Sequence, residues 1–218
     1  MIVCVLLSFF LLAQQAVPDE QPHVARLLSH KELDRYSVVI ESENTDATAK
    51  YEFEWRITTQ VAEEKTGVTK IGVTFMNLKA TIGDKSAPPQ KLFGSADFKL
   101  AKTGFPLQLS VGGNGGIFVM PLLCLYLPGG TSGDIPDTEI DNQVHVSGTG
   151  KLRPDKGNES TVDLNIAFSI AGKTLSANET PPSLVAASTF NSKTGTLLTS
   201  EGTITSATGV SRFHVKHK

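Results

Sequence analysis

Residues 51–57, which read YEFEWRI, decide the fold class of this chain. Large apolar side chains occupy every second position of the stretch, and charged side chains occupy the positions between them. Successive side chains of a β-strand point to opposite faces of a sheet, so the apolar residues share one face and the charged residues the other. The alternation predicts an antiparallel strand with one buried face and one solvated face.

Runs of the same kind recur along the rest of the chain, and short turn signals rich in Gly, Asp, Asn and Lys-Thr-Gly separate them. The predicted strands cover residues 36–43, 51–57, 68–82, 96–101, 105–111, 143–152, 161–171, 184–192, 196–205 and 209–215. No helix-length segment alternates with these strands, which argues against a parallel α/β fold. The sequence therefore predicts an all-β fold, or a β-rich fold with one or two short helices. We expect an antiparallel meander that forms a curved half-barrel or a sandwich.

The chain has 218 residues, of which 39% are hydrophobic, and a formal net charge of -2. This length suits a single domain with a core of its own. The near-neutral charge and the absence of a Lys/Arg run argue against nucleic acid as a partner, because binding to phosphates needs a basic patch.

The N-terminal residues 1–12 are almost entirely apolar, and small residues follow at Ala13 and Ala16. An apolar core of this length is too short for a stable transmembrane span and is typical of a signal peptide. A buried first strand or short helix is the alternative. We predict a signal peptide over residues 1–16, a linker with a short helix over 17–35, and one antiparallel β domain over 36–218. The protein is then expected to be exported, to a periplasmic or extracellular location.

The chain contains two cysteines, Cys4 and Cys124. Cys4 lies in the predicted signal peptide, so a single thiol remains after cleavage and the mature chain has no internal disulfide. An exported protein without disulfides suits a bacterial envelope better than a disulfide-stapled secreted domain.

The middle of the chain carries its most apolar segment, residues 117–127 (IFVMPLLCLYL), between two Gly-rich stretches at 112–116 and 129–133. With Pro121 inside it, this segment is too short to span a membrane. We expect either a short buried helix that starts near Pro121, which suits a proline in the first turn, or a flap that covers an open face of the sheet. Core packing is the favoured reason for its composition.

Motifs of known catalytic chemistry were sought and are incomplete. Lys-Thr-Gly occurs at 102–104 and 193–195, but the Ser-x-x-Lys and Ser-Asp-Asn motifs that accompany it in serine β-lactamases are absent. Gly-x-Ser-x-Gly and the phosphate-loop ending Gly-Lys-Ser/Thr are absent as well. We therefore predict that the protein is not an enzyme and that it needs no cofactor.

No set of residues has the spacing of a metal site. His214 and His217 are three apart, which places them on opposite faces of a strand. The acidic residues of GDIPDTEIDN are expected to form a solvated loop, because the segment lacks the spaced Gly and terminal Glu of a calcium loop. His145 is expected on the wet side of its strand.

One phrase, Thr189 to Leu197 (TFNSKTGTL), resembles bacterial envelope proteins that fold as a curved half-barrel, similar to the lipoprotein-carrier and lipoprotein-localisation group. The resemblance implies an apolar cavity between sheet and lid that holds acyl chains. A lipid or other hydrophobic small molecule is therefore the expected ligand. The candidate ligand-binding residues are Tyr51, Phe53, Trp55, Phe75, Phe98, Phe118, Leu122 and Leu125. The alternative is a structural or protein-interaction module of the cell envelope with a filled core.

Overall fold

A computed structural model of the chain describes residues 34–44, 47–63, 68–86, 94–100, 106–111, 120–125, 133–140, 144–154, 157–170, 181–194 and 196–218. The predicted signal peptide and nearly all of the predicted linker, up to residue 33, lie outside these residues. The described part is almost entirely β-structure, as the alternation of apolar and polar residues predicted.

All described strands belong to one antiparallel sheet of twelve strands. The first half of the chain contributes β1 (Asp34–Asn44), β2 (Thr48–Glu63), β3 (Val68–Ile82), the two-residue β4 (Lys85–Ser86), β5 (Gly94–Leu100) and β6 (Pro106–Val111). The second half contributes β7 (Gly133–Ile140), β8 (Val144–Pro154), β9 (Glu159–Ile170), β10 (Ser183–Asn191), β11 (Leu197–Ser206) and β12 (Gly209–His217). A 3-10 helix over Met120–Leu125 lies between the halves.

The strand order is β6-β5-β3-β2-β1-β12-β11-β10-β9-β8-β7, and β4 pairs with β3. Each half of the chain is thus a meander, and the ladder between β1 and β12 joins the two halves, from Tyr36 opposite His217 to Asn44 opposite Gly209. The edge strands β6 and β7 contact each other, but among the described residues no ladder pairs them. The sheet is therefore open rather than a closed barrel, which agrees with the predicted curved half-barrel.

The two faces of the sheet differ sharply in burial. In β1 the side chains of Tyr36, Val38, Ile40 and Ser42 are buried, and those between them are partly or fully exposed. We call the face that carries the buried side chains the inner face and the opposite one the outer face. Buried residues of the inner face in β1, β2, β3 and β8 to β12 form one hydrophobic cluster, which Leu122 and Cys124 of the 3-10 helix join. A sheet buries one face in this way only when that face packs against other elements or against itself.

Two irregularities interrupt the alternation. In β3 the buried residues change from Phe75 to Leu78, three positions apart, because a bulge shifts the register between β2 and β3 at this point. Asn77 takes a left-handed backbone conformation there, with φ of 56°, which Asn tolerates better than most residues. The bulge keeps both apolar residues on the inner face.

The acidic segment GDIPDTEIDN is not a loop as expected, since most of it forms β7 and pairs with β8. The ladder shifts between Ile135 and Thr138, so Pro136 falls at the irregularity of an edge strand. Edge strands and bulges are the places in a sheet where proline is tolerated, since it has no N–H to donate to a ladder. Proline and charge had made this segment resemble a loop.

The middle segment contains the short helix predicted near Pro121, and both Pro121 and Leu122 are buried. Within the residues that the structure describes, no helix is long and apolar enough to cross a membrane.

Candidate functional site

The inner face is the candidate site, because it carries most of the predicted ligand-binding residues. Phe53, Trp55 and Phe75 lie together on β2 and β3, and the ring centroid of Phe53 is 6.2 Å from those of both Trp55 and Phe75. Leu122 joins the same cluster from the 3-10 helix, and Tyr51 packs against it while partly exposed. The sequence thus identified residues that the fold does bring together.

The other three candidates are less completely described. Phe98 lies in β5, opposite Ile71 of β3 and Leu109 of β6, and Leu125 is the last residue of the 3-10 helix. Phe118 lies outside the described residues.

The inner face is sealed where its side chains are described. Trp55 and Leu122 have an exposed fraction of 0%, and Phe53 and Phe75 have 3% and 4%. The largest fully buried side chains come from five different strands and the 3-10 helix: Trp55, Tyr36, Phe190, Ile40, Leu122, Ile166, Leu184 and Leu197. A side chain that lined a water-sized space would expose surface to that space. These residues therefore fill the interior, at the close packing usual for a protein core.

Trp55 is nevertheless incompletely satisfied. Its indole Nε1 is buried and has no hydrogen-bond partner in the part of the chain that the structure describes. Leaving a donor buried and unpaired costs about 1–3 kcal/mol. Trp55 lies opposite Tyr36 on one side and Phe75 on the other, so the unpaired N–H sits between aromatic neighbours.

A small polar cluster lies where the 3-10 helix contacts β10 and β11. Ser188 and Ser200 lie directly opposite each other, and their Oγ atoms are 2.9 Å apart in a buried hydrogen bond. The thiol of Cys124 bonds both hydroxyls, and burial raises its pKa to about 12 although those two hydrogen bonds act in the other direction. A thiol this poorly ionised is not a nucleophile at neutral pH. The cluster therefore anchors the helix to the sheet.

At one end of the inner face, His217 lies beside Asp34 and Tyr36. The His217 Nε2 atom is 3.5 Å from Asp34 Oδ1, and the rings of His217 and Tyr36 meet edge-on at 5.2 Å. Burial, and secondly the charge of Asp34, raise the pKa of the Tyr36 hydroxyl well above its ordinary value. This is the wrong direction for a base or nucleophile, which needs a pKa near the working pH.

The outer face is polar and cross-linked by ion pairs between neighbouring strands. Arg212 Nη1 is 2.6 Å from Glu43 Oε1, and His214 Nδ1 is 3.2 Å from Glu201 Oε1. Lys50 contacts two carboxylates, those of Glu41 and Glu52. The partners are largely exposed, as expected for a solvated surface, where each pair contributes little to stability.

A surface depression of about 430 Å³ lies beside the β3 bulge. Its lining is mostly polar and charged, from Ser37, Glu52, Phe53, Glu54, Asn77, Lys79 and Lys218. It differs in this respect from the largely apolar pockets that hold small hydrophobic ligands.

No group of three or more metal-ligating side chains occurs in the described ranges. Asp137 is exposed and lies 3.3 Å from His145, which is half-buried, so these two residues pair with each other. His214 and His217 lie on the outer and inner faces respectively, as their spacing predicted.

The second Lys-Thr-Gly copy begins in the turn between β10 and β11. The Asn191 side chain accepts hydrogen bonds from the backbone N–H groups of Lys193 and Thr194, at 2.9 and 3.1 Å. Asn is common in turns because its side chain bonds nearby backbone in this way. The motif is turn chemistry here, as the sequence indicated.

Comparison with protein-family models, with curated proteins and with solved structures gave no match to this chain.

Proposed function

We propose that this protein is a non-catalytic interaction module of the cell envelope that contacts its partners through the outer face and the edges of its sheet. The sealed inner face carries this proposal. The residues that a hydrophobic ligand would touch already touch one another, so the inner face serves as the core of the domain.

Export to the periplasm or the extracellular space is part of the proposal and rests on the apolar segment at residues 1–16. The absence of catalytic motifs and the raised pKa values of Cys124 and Tyr36 support a non-catalytic role.

Native mass spectrometry of gently purified protein tests the filled core. We expect the mass of the bare chain, and no saturable uptake of a fluorescent fatty acid. A stoichiometric amphiphile that co-purifies with the protein would overturn the proposal.

A second candidate is the binding of a lipid or other hydrophobic molecule, with the 3-10 helix displaced from the inner face. The unpaired Trp55 Nε1 favours this candidate, because a ligand acceptor would satisfy a donor that the packed interior leaves unpaired. The Gly-rich stretches on both sides of the helix supply residues with the conformational freedom for such a movement.

Cys124 reports directly on this second candidate, since its thiol is buried under the helix. If the helix stays in place, a maleimide reagent labels Cys124 only after unfolding in urea, with or without an added fatty acid. Labelling of the folded protein that rises with fatty-acid concentration would favour the lipid-binding candidate.

A further inference from the structure

A row of cations crosses the outer face where β12, β1 and β2 lie side by side. Arg35 of β1 is directly opposite Arg56 of β2. On the other side of Arg35, the Lys218 N–H donates to its carbonyl oxygen at 3.0 Å. Neighbouring strands are about 4.8 Å apart, so the three side chains leave the sheet as close neighbours. Lys216 occupies the same face two residues earlier.

This row lacks the compensation found elsewhere on the outer face. Among the described residues, neither Arg35 nor Arg56 is within ion-pair distance of a carboxylate, whereas Lys50, Arg212 and His214 all are. Like charges directly opposite each other in an antiparallel pair are destabilising. The fold therefore holds two guanidinium groups side by side without a described counter-charge.

Glu54 is the carboxylate nearest to the row, and it is already engaged. Its side chain bonds the Lys218 ammonium and the Asn77 side chain, and it also feels the charge of Arg56. The Arg56 Nε donor is shielded from solvent and has no hydrogen-bond partner in the described part of the chain. A donor of this kind is completed by an oxygen acceptor supplied from outside.

We propose that Arg35 and Arg56, with Lys216 and Lys218 beside them, form a binding site for a tetrahedral oxyanion of the phosphate or sulfate class. Guanidinium groups present planar pairs of N–H donors that match such oxygens, and hydrogen bonds between charged partners are the strong ones. The site gives the proposed interaction surface a chemistry and rests on that proposed function. The oxyanion is either free or the headgroup phosphate of an anionic lipid.

Thermal unfolding in sodium phosphate or sulfate, against sodium chloride of equal ionic strength, tests the site. We expect the oxyanions to raise Tm, and we expect Arg35→Gln and Arg56→Gln each to remove that rise and to weaken phosphate binding in calorimetry by tenfold or more. Arg212→Gln is the matched control, because Arg212 lies on the same face but is paired with Glu43. Loss of the rise in the control as well would overturn the proposal.

Sedimentation with phosphatidylglycerol vesicles, against phosphatidylcholine vesicles, distinguishes the two sources of the oxyanion. Binding of inorganic phosphate points to a free anion, and Arg35-dependent binding to phosphatidylglycerol alone points to a headgroup; both support the site. Binding to neither overturns it. Such a failure with a bare native mass leaves the filled-core module intact, so the two proposals fail separately.

Discussion

Gly202 shows how closely single residues fit on the inner face. It lies opposite Phe213 in the ladder between β11 and β12. A Cβ atom at Gly202 would lie 2.5 Å from Phe213 Cζ and 2.6 Å from the carbonyl oxygen of Val185, both far inside contact distance. The aromatic ring thus occupies the space that a side chain at position 202 would need.

We expect Gly202→Ala to lower the free energy of unfolding by about 1–3 kcal/mol, because it overpacks the core. Gly150→Ala is the control on the same face, since its new Cβ would meet only Leu164 Cδ2, at 3.6 Å. The control should be neutral or slightly stabilising, because alanine restricts the unfolded chain. Urea unfolding of both variants measures the difference, and equal stabilities would contradict the packing described here.

The Glu54–Lys218 pair predicts a pH dependence on the outer face. The hydrogen bond from Lys218 lowers the pKa of the Glu54 carboxyl, against the opposing effect of desolvation. A lowered pKa in the folded state gives stability that is present above the unfolded-state pKa and is lost as the pH falls through the folded-state pKa.

Glu54→Gln should therefore cost about 0.2–1 kcal/mol of unfolding free energy at neutral pH, as a partly exposed ion pair does. The cost should shrink as the pH falls, and it should vanish below the folded-state pKa of Glu54. Urea titrations at a series of pH values measure it. A cost that stays constant from neutral to acidic pH would show that the charge of Glu54 does not matter.

At the scale of elements, β12 is the strand that joins the two halves of the sheet, since it pairs with β11 and with β1. Its alternating burial places Phe213 in the core and His214 on the outer face. Adjacent residues of this strand should therefore respond very differently to the same substitution.

We expect Phe213→Ala to lower the free energy of unfolding by about 3–5 kcal/mol, as truncation of a buried aromatic ring does. His214→Ala should change it by no more than about 0.5 kcal/mol, because His214 is at the surface. Chemical denaturation followed by circular dichroism compares the two. Similar losses in both variants would mean that the inner and outer faces are wrongly assigned.

Local patterns in the sequence predicted most of the strands, and long-range pairing accounts for what they missed. Alternation located β1, β2 and the strands from β8 to β12, because their inner and outer faces meet different surroundings. It missed β7, because Pro136 and the acidic residues resemble a loop until an edge position makes them acceptable. The three-residue step from Phe75 to Leu78 was the one local sign of the bulge in β3.

The candidate site was predictable only in part, for the same reason. Phe53, Trp55 and Phe75 follow from the alternation, but whether they line a cavity or fill it depends on what packs against them. The opposition of Arg35 and Arg56 depends on the register of β1 against β2, which single-strand patterns do not encode.

At the scale of the whole molecule, the account makes one central claim: the curved sheet is filled, and its inner face is the core. Trp55 is the only tryptophan of the chain and has no exposed surface, so its fluorescence reports on the interior alone. A brominated fatty acid quenches tryptophan only when its acyl chain comes close to the ring.

The most direct test is therefore the titration of the folded protein with brominated fatty acid while Trp55 emission is recorded. A filled interior predicts blue-shifted emission, which aqueous acrylamide and the brominated chain both leave unchanged until the protein unfolds. Saturable quenching of the folded protein by the brominated chain, without quenching by the unbrominated chain, would contradict a filled core and place a lipid beside Trp55.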